Sequence, residues 1–148
     1  MGSPLIGLAS DHAGYNLKAF IQIFLSNQNI SYINYGTHTV DSVDYPTYGH
    51  KLAEAIENGE VSIGIGICGS GNGINMTLNK HQKIRSALCW NEEIARLARE
   101  HNDANVLVLP ARFLSQEETM RIIDIFLNTS FEGGRHRKRI DLMATMPR

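Results

Sequence analysis

Short apolar runs alternate with longer amphipathic segments along most of the chain. The apolar runs predict five strands, at about residues 4–10, 30–35, 61–68, 84–89 and 105–109. The spacing of Leu17, Ile21 and Leu25 predicts a first helix, for which Ser10 or Asp11 is the expected cap. Four more helices are predicted over about 47–56, over 74–80, from 91 to about 100, and after a capping box at 115–118.

Strands that alternate with helices at short spacing predict an α/β fold. Because crossovers between parallel strands are right-handed, we expect a five-stranded parallel sheet with helices on both of its faces. Neither a linker nor an internal repeat interrupts the pattern, so a single domain is predicted over residues 1–148.

In parallel sheets of this kind, ligands bind at the carboxyl ends of the strands, where the strand order reverses. Asp11, His12 and Cys68 follow predicted strands and are therefore expected together at that edge. His101 and Asn102 end a predicted helix, so we expect them at the opposite edge. Both Asp11-His12 and His101-Asn102 are also common at helix ends, the first as a helix cap and the second because the helix dipole favours a histidine there.

The composition excludes several classes of protein. The chain is 43% hydrophobic and 20% charged with a net charge of −1, which is not typical of a disordered segment or of a polybasic nucleic-acid binder. Two cysteines do not make a disulfide framework, and no apolar run approaches the roughly 18 residues of a membrane span. We expect a cytoplasmic protein that binds neither nucleic acid nor membranes.

Candidate chemistry centres on Cys68. Gly69, Gly71 and Gly73 follow it at alternate positions, so the backbone can turn tightly and present its N–H groups to a negatively charged oxygen. A thiol at the positive end of a helix tends toward the thiolate, which makes Cys68 a candidate base. Buried cysteines and glycine-rich turns also occur where no reaction takes place, so a purely structural role stays open.

Arginines near the end of the chain are candidates for binding an anion. Arg135 and Arg139 are four residues apart, which places both guanidinium groups on one face of a helix, where they can grip a phosphate. The alternative is a solvated basic tail. Arg112, which follows the last predicted strand, is a further candidate, although single arginines in loops usually face solvent.

Metal and cofactor sites are poorly supported by the sequence. The six histidines do not show the spacing of metal ligands, and the two cysteines are far apart. The glycine run lacks the G-x-G-x-x-G spacing of a dinucleotide site and follows the third strand instead of the first. We therefore expect no metal and no cofactor.

Six separated motifs carry a resemblance to a known family. They are Ser10-Asp-His-Ala-Gly14, Asp44-Tyr-Pro46, Cys68-Gly-Ser-Gly-Asn-Gly73, Asn79-Lys80, His101-Asn102, and Glu132-Gly-Gly-Arg-His136 with Arg139. In this order they resemble the type B ribose-5-phosphate isomerases, whose wider group includes galactose-6-phosphate and allose-phosphate isomerases. The resemblance covers nearly the whole chain and implies a Rossmann-like, three-layer α/β/α sandwich.

The resemblance also implies a reaction, the interconversion of ribose 5-phosphate and ribulose 5-phosphate through an enediolate, as in the pentose phosphate pathway. Cys68 would be the base, His101 would open the sugar ring, and Ser70 would hydrogen-bond near the reacting centre. The remaining implied residues would bind substrate. The sugar hydroxyls would be bound by Asp11, Tyr45 and Asn102, and the enediolate oxygen by Gly69, Gly71, Asn72 and Gly73. The phosphate would be bound by His12, Arg112, Arg135 and Arg139.

Members of the family that this chain resembles are homodimers or homotetramers whose active sites lie between subunits. This implies that the tail, about residues 131–148, reaches a partner subunit. The preferred sugar stays open, because a five-carbon and a six-carbon sugar phosphate differ by one hydroxymethyl group. The alternatives are a hexose-6-phosphate isomerase, acting on allose or galactose phosphate, and a non-catalytic phosphosugar-binding subunit of a hetero-oligomer.

Overall fold

The computed structural model describes residues 4–144. The strands are β1 (Ile6–Ser10), β2 (Tyr32–Asn34), β3 (Ile63–Cys68), β4 (Ser86–Leu88) and β5 (Val106–Pro110). The helices are α1 (Tyr15–Asn27), α2 (Tyr45–Glu57), α3 (Asn72–Leu78), α4 (Glu92–Glu100), α5 (Gln116–Asn128) and α6 (Arg135–Met143), with short 3₁₀ turns at His12–Gly14 and Ala111–Phe113. No helix within 4–144 is long and apolar enough to cross a membrane.

All five strands are parallel and lie in the order β2-β1-β3-β5-β4, which confirms the predicted sheet. β2 pairs with one side of β1, and β3 pairs with the opposite side of β1. The order therefore reverses between β1 and β3, which is the switch point at which such sheets bind ligands. Ser10 pairs with Ile67 in the register of these strands, so their carboxyl ends lie side by side.

Helices cover both faces of the sheet and give the three layers that the resemblance implied. On one face, α1, α4 and α5 bury Ile21, Ala95 and Phe126 against the sheet. On the other face, α2 and α3 bury Leu52 and Leu78. Because both faces are covered, the central strands are apolar on both sides, as the alternation of isoleucine with glycine in β3 predicts.

Several boundaries differ from those predicted, most clearly at the starts of helices. The helix expected from about 47 begins at Tyr45, because Pro46 fits the first turn of a helix, where its missing N–H leaves no bond unmade. Asp11 caps the 3₁₀ turn instead of the longer helix, by accepting from the Gly14 N–H at 3.1 Å. The tail helix begins at Arg135, so Arg135 and Arg139 both lie on α6.

A lysine lies fully buried in α1. Lys18 is 1% exposed, and its Nζ donates to Asn34 Oδ1 at 2.8 Å and to the carbonyl oxygen of Thr37 at 2.6 Å. The carbonyl oxygen of Ser10 accepts from the Thr37 N–H at 2.7 Å. Lys18 thus ties α1 to the loop that follows β2 and holds this loop beside the end of β1.

Burial lowers the pKa of Lys18 to about 8. The unfolded chain keeps this proton to about pH 10.5, so between these values the unfolded state binds more protons than the folded state. Lys18 therefore contributes more to the free energy of unfolding as pH rises from 8, by at most about 1.4 kcal/mol per pH unit. We expect the unfolding free energy of wild type minus that of Lys18→Met, measured by urea denaturation, to increase from pH 8 to pH 10. A constant or falling difference would contradict a lowered pKa.

Candidate active site

The carboxyl ends of β1 and β3 bring Asp11 next to Cys68. The backbone N–H of Asp11 donates to the carbonyl oxygen of Ile67 at 3.3 Å, which continues the pairing of the two strands by one residue. The Asp11 carboxylate is close enough to the Cys68 thiol to influence its ionisation electrostatically. A carboxylate and a thiol thus meet at the switch point of the sheet.

The Cys68 thiol is buried among groups with opposing effects on its charge. Burial, together with the negative charge of Asp11, raises the pKa of Cys68, while hydrogen bonds from the backbone N–H groups of Ile74, Gly71 and Gly73 lower it. The net shift of the pKa is upward. The N–H groups at the helix end thus favour the thiolate as predicted, but they do not determine the direction of the net shift. Desolvation of the thiolate outweighs them.

The glycine loop fits tightly against its neighbours. Gly71 caps α3 with φ at 82°, and a Cβ atom there would lie 2.4 Å from Leu88 Cδ1. A Cβ atom on Gly73 would lie 2.5 Å from the ring of Tyr45. The absence of side chains at these glycines thus lets the backbone wrap around the thiol while Tyr45 lies against the loop.

Two polar side chains lie on the outer side of the glycine loop. Ser70 is exposed, and its Oγ accepts from the Asn72 N–H at 3.3 Å. Arg112 reaches the loop from the end of β5: its N–H donates to the carbonyl oxygen of Gly69 at 3.0 Å, and its guanidinium group passes over that glycine. A hydroxyl and a cation therefore lie on the glycine loop that encloses the thiol.

His12 is held in one orientation by a backbone group. Its Nδ1 lies 3.1 Å from the backbone nitrogen of Val43, whose N–H donates to it. A neutral ring that accepts at Nδ1 carries its proton on Nε2, so His12 presents a donor at its other edge. Sequence reasoning missed Val43, since the contact uses main-chain atoms and leaves no mark in the residue type.

The described fold brings ten of the predicted residues to one edge of the sheet. They are Asp11, His12, Tyr45, Cys68, Gly69, Ser70, Gly71, Asn72, Gly73 and Arg112. They supply a thiol, a carboxylate, donors from the backbone and two groups suited to an anion. This combination serves proton transfer on a small phosphorylated substrate.

Four predicted residues do not join them within the chain: His101, Asn102, Arg135 and Arg139. His101 and Asn102 precede β5, and the register of Gly64 with Val106 places that end of the sheet at least about 13 Å from Cys68. The prediction that they start at the opposite edge is confirmed. Both arginines are exposed on α6, without an ion-pair partner within residues 4–144.

His101 has neighbours that sequence reasoning did not assign to it. Its ring stacks on that of His136 with centroids 4.3 Å apart, and its Nε2 lies 3.8 Å from Glu132 Oε2. Glu132 and His136 are four residues apart, a spacing that signals neighbours in a helical turn. Nothing in the sequence signals that α6 packs beside the end of α4, because this depends on the path of the whole chain.

Comparison with known proteins agrees with this geometry. The sequence model of the ribose/galactose isomerase family matches residues 6–143. A relative named ribose-5-phosphate isomerase B from Escherichia coli is 38% identical, over 95% of this chain and 95% of its own length. The crystal structure of a ribose 5-phosphate isomerase from Thermotoga maritima matches with a TM-score of 0.95 at 42% identity, covering 97% of this chain and 99% of that one. A ribose-5-phosphate isomerase B from Mycoplasma genitalium with bound ribulose-5-phosphate matches with a TM-score of 0.90 at 39% identity, covering 95% and 93%.

The raised pKa of Cys68 can be measured without any substrate. Thiolate absorbs ultraviolet light, and a Cys89→Ala background removes the second cysteine, whose burial raises its pKa to about 12. In this background we expect the absorbance to titrate with a midpoint above the ordinary thiol value of 9.0. Asp11→Asn removes a negative charge beside the thiol, so it should lower the midpoint. A midpoint below 9.0 with Asp11 in place would show that the helix end dominates instead.

Proposed function

The chain belongs to the ribose/galactose isomerase family, and from this premise we propose that it interconverts ribose 5-phosphate and ribulose 5-phosphate with Cys68 as the base. One observation carries the proposal. The Cys68 thiol lies at the switch point of the sheet, enclosed by three backbone N–H groups and beside the Asp11 carboxylate. An isomerase needs a group that accepts and returns a proton, whereas a subunit that only binds the sugar phosphate does not need one.

The proposed reaction moves one proton between neighbouring carbons. The Cys68 thiolate removes the proton from carbon 2 of the open-chain aldose, and the electron pair of that bond becomes the double bond of an enediolate. The thiol then returns the proton to carbon 1 while the hydroxyl proton on oxygen 2 passes to oxygen 1, and carbon 2 becomes the carbonyl carbon of the ketose. A raised pKa makes the thiolate scarcer at neutral pH but makes each thiolate a stronger base.

Negative charge develops on oxygen in the enediolate, next to the thiol. Backbone N–H groups of the loop from Gly69 to Gly73 are the nearest donors fixed by the fold. A preorganised donor of this kind stabilises a transition state by about 3 kcal/mol. Ser70 and Asp11 lie beside the same atoms and suit the sugar hydroxyls.

Phosphate recognition divides between two sets of residues. His12, which presents Nε2–H, and Arg112 reach the phosphate from the edge that carries Cys68. Arg135 and Arg139 are exposed and unpaired on α6 within residues 4–144, which leaves both guanidinium groups available to an anion. We propose that they bind the phosphate held by a second copy of the chain.

The active site is accordingly proposed to lie between two subunits. His101 opens the sugar ring, and it and Asn102 belong to the edge opposite to Cys68 in the same chain. A dimer is the smallest assembly that brings them together, with the tail from about residue 131 crossing to the partner. Residues 145–148 of that tail lie outside the described part of the chain. The cytoplasmic location stays a prediction.

Steady-state kinetics with ribose 5-phosphate test the base. General-base catalysis contributes roughly 10²–10⁴-fold, so we expect Cys68→Ala to lower kcat by that factor while KM changes little. Cys89→Ala is the matched control, because this second buried cysteine lies in the core on the opposite face of the sheet. Turnover of the Cys68→Ala variant close to that of the control would overturn the assignment of the base.

Allose 6-phosphate and galactose 6-phosphate, assayed in parallel, test the substrate. The pocket beside Tyr45 holds the sugar, and we expect the pentose phosphate to give the highest kcat/KM. A higher value with either hexose phosphate would replace the proposed substrate but not the mechanism. Failure on all three would contradict a self-sufficient enzyme and support the alternative of a phosphosugar-binding subunit.

A subunit-mixing experiment tests the shared site. Cys68→Ala and His101→Ala chains, each inactive alone, form one intact site in each mixed dimer. After denaturation and joint refolding at equal amounts, random pairing should restore about a quarter of wild-type activity. If Cys68 and His101 acted within one chain, every site would stay defective and the mixture would stay inactive.

A further inference from the structure

A second cluster of chemically active side chains lies at the edge of the sheet opposite to Cys68. His101 follows α4, Glu132 precedes α6, and His136 lies in the first turn of α6. Glu132 Oε2 is 3.8 Å from His101 Nε2, and Glu132 Oε1 is 3.6 Å from His136 Nε2. One ligand atom from each residue lies within 4.8 Å of the other two.

The His136 ring nitrogen within this cluster lacks a hydrogen bond. His136 is 6% exposed, and its Nε2 is buried without a hydrogen-bond partner in the described structure. The 3.6 Å to Glu132 is longer than a hydrogen bond. An unsatisfied buried polar atom destabilises the fold, so this nitrogen is available to a ligand that is not a side chain of the described residues.

Backbone hydrogen bonds fix the main chain of all three candidate ligands. The N–H of Glu132 donates to the carbonyl oxygen of Glu100 at 3.0 Å, and the N–H of His136 donates to Gly133 at 3.2 Å. The N–H of His101 donates to Leu97 at 2.9 Å. Ligands fixed in this way lose little freedom when they close around an ion.

The charges around the cluster favour a cation. The Glu132 carboxylate is next to that of Glu100, which Arg96 neutralises. Arg99 is engaged with Asp103 and with the carbonyl oxygens of Thr129 and Ala104. The carboxylate of Glu132 therefore faces the two imidazole rings without a competing cation from these arginines.

We propose that His101, Glu132 and His136 bind a divalent transition-metal ion of the zinc type. Two imidazole nitrogens and one carboxylate form a donor set that suits Zn²⁺ at about 2.0–2.2 Å from each ligand atom. The two separations from Glu132 are within about 0.5 Å of the roughly 3.3 Å between ligand atoms of a tetrahedral zinc site, and the stacked ring of His101 must turn to complete it. His101 and Glu132 are partly exposed, so their side chains are free to turn inward and a fourth position stays open to solvent.

Metal binding at this place regulates the enzyme, a consequence that rests on the proposed function. The ion takes the lone pair of His101 Nε2, and His101 is the residue proposed to open the sugar ring. A metal-bound imidazole neither accepts nor donates a proton at that atom. The bound ion therefore inhibits turnover reversibly, and a chelator restores it.

The site itself is tested by titrating the purified full chain with Co²⁺ at neutral pH and following the visible absorption of the bound ion. We expect one ion per chain and a tetrahedral spectrum that Zn²⁺ displaces. His136→Gln should weaken binding by more than about tenfold, and so should Glu132→Ala, whose exposed side chain makes misfolding a lesser concern. Thermal melting of each variant identifies a loss of fold.

The matched control is His81→Gln in a cluster of the same residue types. There His50 Nδ1 lies 2.7 Å from His81 Nε2, and His81 Nδ1 lies 2.8 Å from Glu57 Oε1, so both His81 nitrogens already have partners. Co²⁺ binding should be unchanged in this variant. Binding that is lost in His81→Gln, or unchanged in both His136→Gln and Glu132→Ala, would overturn the proposed site.

A second experiment measures turnover with stoichiometric Zn²⁺ divided by turnover without it. We expect the ratio to fall at least tenfold in wild type and to stay near one in Glu132→Ala. If Co²⁺ binds as expected but Zn²⁺ leaves turnover unchanged, the inhibitory role is overturned while the site stands. A chain without any turnover would count against the proposed function alone, because Co²⁺ binding is read without substrate.

Discussion

The pairing of β3 with both β1 and β5 is the constraint on which the site depends. Its register sets Cys68 opposite Pro110 and one residue beyond the pair of Ser10 with Ile67. Three strand ends therefore coincide, and each delivers a different group to the same place: Asp11, the thiol and the arginine that follows β5. A slip by one residue would turn Cys68 to the opposite face of the sheet.

The position of Cys68 at the end of a buried strand also determines how its thiol ionises. A thiol at the end of a buried strand loses hydration, which disfavours its charge, and the Asp11 carboxylate adds to the effect. The turn after the strand supplies N–H groups that face the sulfur, with Gly71 in a left-handed conformation that makes the turn tight enough. The thiolate is therefore scarce at neutral pH, and the base that we propose is correspondingly strong once it forms.

The sequence predicts most of the fold, since the alternation of apolar runs with amphipathic stretches determines a parallel sheet and hence the edge at which Cys68 lies. It does not predict the ionisation of Cys68, because the balance between burial and N–H groups depends on packing that no local pattern encodes. Lys18 is in phase with the buried Ile21 and Leu25, which signals a buried lysine, but its partners come from a distant loop. The approach of His136 to His101 likewise arises only when the chain closes.

We propose that Cys68 carries a proton between carbons 2 and 1 of the sugar. Isomerisation in D₂O, followed by NMR of the recovered ribose 5-phosphate, is the decisive test, because a proton held on a thiol exchanges with solvent. We expect deuterium at carbon 2 with wild type and none with Cys68→Ala. Turnover that transfers hydrogen with no exchange, or exchange that persists in the variant, would contradict it.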